Sequence, residues 1–200
     1  MLRRLPEGRI LLYLASQSPR RRQLLELAGI RFETIDVEVA EVHAPGEPPE
    51  DYVSRVAREK AGAGLLKLSG VADAVVLGAD TEVVLDDEVF GKPRDAEHAA
   101  QMLRRLSGRV HRVISAVWVL DAGREEHARN ITEVTFAALS PVDIDAYLAS
   151  GEWQGKAGAY AIQGRAAAFV PRLAGSYSGV MGLPLFETVQ LVKAFGIQAG

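Results

Sequence analysis

Cysteine is absent from all 200 residues, which removes disulfides, zinc–thiolate sites and cysteine nucleophiles at once. The phosphate-loop signatures GxxxxGKS/T and GxGxxG are missing, and so are HExxH and GxSxG. No histidine pair has metal-ligand spacing, so His43, His98, His111 and His127 read as structural or surface residues. Long apolar runs are missing too. Ile10–Ala15 falls far short of the roughly 20 residues of a membrane span, and no signal-peptide cleavage pattern follows it. The expectation is therefore a cytoplasmic protein with no membrane partner. Positive charge is in short supply, with 23 Lys and Arg against 26 Asp and Glu and a net charge of −3. A general affinity for nucleic acid needs a dense basic surface, so no nucleic-acid partner is expected. A polyanion could still bind where a few cations converge.

What is present has ordinary globular proportions, 48% apolar and 24% charged, enough for one core in a single domain spanning 1–200. Ile10–Leu14 reads as a strand buried on both faces. Ser16-Gln17-Ser18-Pro19 opens a helix with a Ser cap and Pro in the first turn. That helix would turn Leu24, Leu25, Leu27 and Ala28 inward and stop at Gly29. A strand over Phe32–Val37, a loop over Val39–Glu50 and a helix over Pro49–Leu68 follow. Ala74–Ala79 is a further buried strand with Asp80 and Thr81 at its end, and Thr81–Leu85 pairs with Val89-Phe90 across a turn. Helices are expected over Asp95–Leu106, Pro141–Ala149 and Pro184–Phe195, and strands over Val110–Leu120, Ile131–Phe136 and Phe169–Leu173. Gly175–Gly179 reads as a flexible loop. The alternation makes the class α/β.

Three groups of residues have chemical potential. Arg20, Arg21 and Arg22 sit in the first turn of a helix, where cations oppose the helix dipole and an anion would relieve them. Ser16 and Ser18 flank the same turn. Asp80 follows an apolar strand, a place suited to metal or water activation, although turn formation is the commoner use of such an Asp. Lys60, Lys92 in a Gly-Lys-Pro turn, and Glu41 complete the charged set.

Together these residues resemble the Maf family of nucleoside triphosphate pyrophosphatases. The resemblance rests on Leu14–Arg21, Ala57–Ala61, Leu77–Thr81, Gly91–Arg94, Leu106–Gly108, Lys156–Gly164 and Gly182–Leu185. It implies a twisted mixed sheet flanked by helices, with two lobes around a deep nucleotide-binding cleft, as in Maf and ITPase-like proteins, and a homodimer. It implies hydrolysis of a nucleoside triphosphate to the monophosphate and pyrophosphate with Mg²⁺ or Mn²⁺. Transferred by position, the proton acceptor falls on Asp80, the metal ligands on Asp80 and Glu41, and the lysines on Lys60 and Lys92. The family's acidic neighbour of Glu41 is Ala40 here. Ser16, Ser18, Arg20 and Arg21 would hold the phosphates. Arg20, Thr81 and Gln163 match the positions tied to substrate choice in the dTTP/UTP subfamily. Two alternatives stay open: a pyrophosphatase for modified or non-canonical nucleotides, and a nucleotide-binding regulator of cell division with incidental hydrolysis.

Overall fold

The computed structural model describes residues 11–200; the expectations for Met1–Arg9 and for Ile10 lie outside them. Seven strands form one mixed sheet in the order β2-β1-β3-β5-β6-β7, with β4 hydrogen-bonded to β3 off that path. β1 (Leu12–Leu14) runs parallel to both β2 (Phe32–Thr34) and β3 (Val75–Leu85), and every other pairing is antiparallel. β4 is Glu88–Phe90, β5 Val110–Leu120, β6 Glu125–Thr135 and β7 Arg172–Ala174. The six helices are α1 (Pro19–Leu27), α2 (Pro49–Lys67), α3 (Ala96–Leu106), α4 (Pro141–Ala149), α5 (Tyr177–Met181) and α6 (Leu185–Ala194). None is long and apolar enough to cross a membrane.

The period-2 alternation of β3 assigns its faces. Val75, Leu77 and Ala79 pack with Leu24 and Leu25 of α1 and Val192 of α6. On the same face, Val83 and Leu85 join Leu103 of α3 and Tyr147 of α4 in a second apolar cluster. Thr81 is the polar residue between the two clusters. The opposite face, through Val76 and Val84, packs against α2. There the polar positions are Asp80 and Glu82.

α2 lies unusually close to β3, and Gly78 is the reason. A Cβ at Gly78 would overlap the carbonyl oxygen of Ala57 and stand 2.5 Å from the nitrogen of Ala61. Both neighbours are helix backbone and cannot swing aside. Gly78→Ala is therefore expected to lose about 1–3 kcal/mol or more, the usual cost of overpacking, read as a lower urea midpoint. Because Lys60 sits in the displaced stretch of α2, turnover should fall with it.

His111 on β5 is 2% exposed. Its Nε2 is 2.9 Å from the Tyr160 hydroxyl, and its ring meets Phe136 edge-on. Burial lowers its pKa from the ordinary 6.5 to about 4. The unfolded chain thus binds a proton between pH 6.5 and 4 that the folded chain refuses, so stability declines as pH falls through that window and is unaffected above it. The loss is about 3 kcal/mol at 1.36 kcal/mol per pH unit. His111→Phe should show a correspondingly shallower fall in unfolding free energy between pH 6.5 and 4, whatever its absolute stability.

Several boundaries differ from expectation. β3 is one strand through Leu85 and does not stop at Ala79, so Asp80 lies mid-strand rather than at a strand end. The ladder to β5, from Val76↔Leu120 to Val84↔Arg112, runs through the polar residues without a break. Leu27 faces solvent at 78% exposure. Phe169 ends a 3₁₀ turn (Arg165–Phe169), and the strand there is β7. Gly175–Gly179 is ordered because Ser176 caps α5 by accepting from Gly179 N.

Candidate active site

The partners of β3 change along one edge, and the change creates the site. β5 occupies one edge from Val76 to Val84. On the other edge β1 pairs only with Val75–Leu77 and β4 only with Val83–Leu85. Gly78–Glu82 therefore has no strand on that side, and both faces of β3 border the opening. The result is a cleft of 790 Å³, within the range of small-molecule sites. Every site residue expected from sequence lines it: Ser16, Ser18, Arg20, Arg21, Glu41, Lys60, Asp80, Thr81, Lys92 and Gln163.

One wall is the N-terminus of α1. Ser18 caps it, Pro19 follows, and no acidic residue occupies its first turn, so the partial positive charge of the helix end is uncompensated. Both arginines are pinned. Arg20 Nε donates to Met181 O at 2.9 Å, and Arg21 Nε donates to Gly182 O at 2.8 Å. Arg21 Nη1 also donates to Ser16 Oγ at 3.2 Å. Burial pushes the pKa of both guanidiniums down, and at Arg20 the neighbouring Arg21 pushes the same way. Two adjacent cations, Arg21 buried and Arg20 half-buried, each held by a neutral carbonyl, make a prepared anion site.

The other charged wall is a chain of alternating sign. Lys60 Nζ donates to Asp80 Oδ1 at 2.7 Å and to Glu41 Oε1 at 2.6 Å. Lys92 Nζ donates to Glu41 Oε2 at 2.6 Å. Lys60 and Asp80 are buried, whereas Lys92 is exposed. Burial works against the Glu41 carboxylate, but hydrogen bonds and charge from the two lysines outweigh it and draw its pKa down to about 2. Asp80 Oδ2 is buried and has no hydrogen-bond partner.

Thr81 faces the other side of β3. Its Oγ1 lies 2.8 Å from Ser115 Oγ, and Ser115 Oγ donates to Gly179 O at 2.7 Å. With the Ser115 proton committed, Thr81 is the donor in their bond, and only its lone pairs remain for a ligand. Gln163 is exposed at the rim.

Lys156 and Glu82 are among the lining residues that the sequence reading did not place in the site. Lys156 points its amine at Gln154 O, 3.0 Å away; burial, then Arg20, lowers its pKa. Glu82 is 5% exposed. Its Oε2 is buried without a partner, and burial, reinforced by Asp80 and Glu41, raises its pKa to about 8. The available signal was its spacing: an acidic residue two places after Asp80 in an apolar strand shares a face with it.

The resemblance implies a divalent cation. Among the described residues no three His, Asp or Glu side chains converge to cage one. The unpartnered Asp80 oxygen nonetheless fits Mg²⁺ or Mn²⁺. Hard cations take one or two carboxylates and complete their shell with phosphate oxygens and water.

Comparison of the sequence with known proteins agrees on a family. The family described as Maf-like protein matches residues 11–195. A dTTP/UTP pyrophosphatase of Xanthomonas campestris pv. campestris is 57% identical over 188 residues, covering 93% of this chain and 99% of that one. A nucleoside triphosphate pyrophosphatase of Xylella fastidiosa is 55% identical over 186 residues, covering 92% and 98%. The Ham1 protein of Staphylococcus aureus aligns with 63% of this chain and 71% of its own at a TM-score of 0.42 and 10% identity.

Proposed function

The chain belongs to the Maf-like family, and from that premise we propose that it hydrolyses dTTP and UTP to the monophosphate and pyrophosphate with the help of a divalent cation. The observation that supports this most is Asp80: its one open oxygen borders a cleft that also holds a prepared anion site. A triphosphate carries about four negative charges, so catalysis consists of positioning and charge neutralisation. Arg20, Arg21 and the first N–H groups of α1 hold phosphate oxygens. The cation, when bound, polarises the phosphate and lowers the pKa of the attacking water.

Lys60 fixes Asp80 by one carboxylate oxygen, and the chain acts on the attacking water through the other. Lys92 is exposed and bonded only to Glu41, so it is free to swing toward charge developing on the leaving pyrophosphate. Thr81 offers lone pairs, which suit the N3–H of uracil or thymine; cytosine presents a bare nitrogen there and leaves two acceptors facing each other. Gln163 completes the base contact from the rim.

The test is pyrophosphate release from a panel of ribo- and deoxyribonucleoside triphosphates with Mg²⁺, Mn²⁺ or EDTA. Turnover of dTTP and UTP that EDTA abolishes is the expected result. Turnover confined to modified or purine nucleotides would retire the pyrimidine reading. Nucleotide binding without turnover on any substrate would overturn the enzymatic one.

A further inference from the structure

Asp80 and Glu82 have more in common than their strand. They are two residues apart on β3 and so project from the same face. They are 4% and 5% exposed, and each has a buried carboxylate oxygen with no hydrogen-bond partner. Both line the cleft. Glu82 differs from Asp80 and Glu41, because no described Lys or Arg forms an ion pair with it. A buried carboxylate with neither a hydrogen-bond donor nor an ion-pair contact carries a large desolvation penalty and calls for a partner. Two such oxygens, on residues of one strand face that line the same cleft, call for the same partner.

Glu41 is in the opposite situation. Each of its oxygens already accepts a lysine Nζ at 2.6 Å, so its evident work is to hold Lys60 and Lys92. We propose that Glu82, not Glu41, is the second carboxylate of the divalent-cation site, and that Asp80 and Glu82 hold the ion together from adjacent same-face positions of β3. This inference builds on the cation-dependent pyrophosphatase reading above. With only two protein carboxylates, the ion keeps several waters. It binds the free protein weakly and more tightly once phosphate oxygens replace some of them.

The test is a Mn²⁺ titration of the whole protein without nucleotide, followed by the EPR signal of free Mn²⁺. Wild type should bind one Mn²⁺. Glu82→Gln should weaken that binding at least ten-fold, whereas Glu41→Gln should stay within about three-fold, the loss of one carboxylate ligand being the larger effect. Wild-type affinity in Glu82→Gln would overturn the proposal, as would an equal loss in Glu41→Gln. Glu82→Gln is isosteric and replaces a buried carboxyl that has no partner, so its melting temperature in EDTA should match or exceed wild type. Should it fail to fold, Glu82→Asp keeps the question answerable: a Mn²⁺-induced rise in melting temperature equal to wild type despite the shortened side chain would overturn the proposal. Nucleotide is absent throughout. Failure of turnover on every triphosphate therefore leaves the Mn²⁺ result standing, and unchanged Mn²⁺ binding in Glu82→Gln refutes the ligand without touching the pyrophosphatase reading.

Discussion

Replacing Asp80 by asparagine is expected to lower kcat by about a thousand-fold, the middle of the range for a general base, with nucleotide affinity little changed. The side chains have the same shape. The substituted amide would keep a carbonyl oxygen for Lys60, which donates to Asp80 Oδ1 at 2.7 Å, and Lys60 would keep Glu41 as its counter-ion. What disappears is the open anionic oxygen in the cleft. An amide nitrogen there neither takes a proton from water nor binds a hard cation, so either route from Asp80 to the attacking water is closed. The arginines at the start of α1 are anchored by Met181 O and Gly182 O rather than by Asp80, so the phosphate grip survives. Steady-state kinetics paired with calorimetric binding of a non-hydrolysable triphosphate gives the split. A kcat within ten-fold of wild type would take Asp80 out of the reaction.

The parts of the fold that could be read from sequence are those whose signals are local. Ser18 and Pro19 start α1, and Gly29 closes it at φ +65. The turn between β3 and β4 is Asp86-Asp87, both at positive φ as a two-residue type I′ hairpin requires. Asp95 caps α3, and Ser140 and Asp143 form a capping box on α4. The misread parts were decided by tertiary structure. Asp80, Thr81 and Glu82 interrupt an apolar run, so β3 looks like two strands; the ladder supplied by β5, more than forty positions away at its far end, makes it one. β6 begins at Glu125 rather than Ile131 because its first half is polar and mostly exposed, and pairing with β5 extends it without any apolar signal.

The candidate site divides the same way. Its ten expected residues come from separate motifs, and no single motif shows that they meet. The resemblance to a family named them together, and the free edge of β3 is the physical reason they meet. Glu82 carried no family signal. Its importance depends on burial without a partner, a property that a sequence does not display. Glu41 and Lys60 were read as independent charges, but their meaning is relational, since a lysine between two carboxylates orients both.

That relation yields the second large effect. Lys60→Met is expected to cost about 3–5 kcal/mol of stability at neutral pH, the range for breaking a buried ion pair by removing one partner, and to abolish turnover. Lys60 and Asp80 side chains are 10% and 6% exposed, so water replaces the lost ammonium at Asp80 Oδ1 poorly. Glu41 fares better because Lys92 remains bonded to its second oxygen. Most of the penalty therefore belongs to the buried charge of Asp80 rather than to the absence of the lysine stem, whose volume Met nearly preserves. A double variant separates the two. Lys60→Met with Asp80→Asn should recover a large share of the lost stability while remaining inactive, a strongly non-additive pair. Lys92→Met supplies the contrast: its side chain is 55% exposed, and loss of an exposed pair costs about 0–1 kcal/mol. Urea midpoints of the three variants at pH 7 decide the matter. If the double variant is no more stable than Lys60→Met, the carboxylate is not what Lys60 restrains, and the amine supports the fold through its packing against β3.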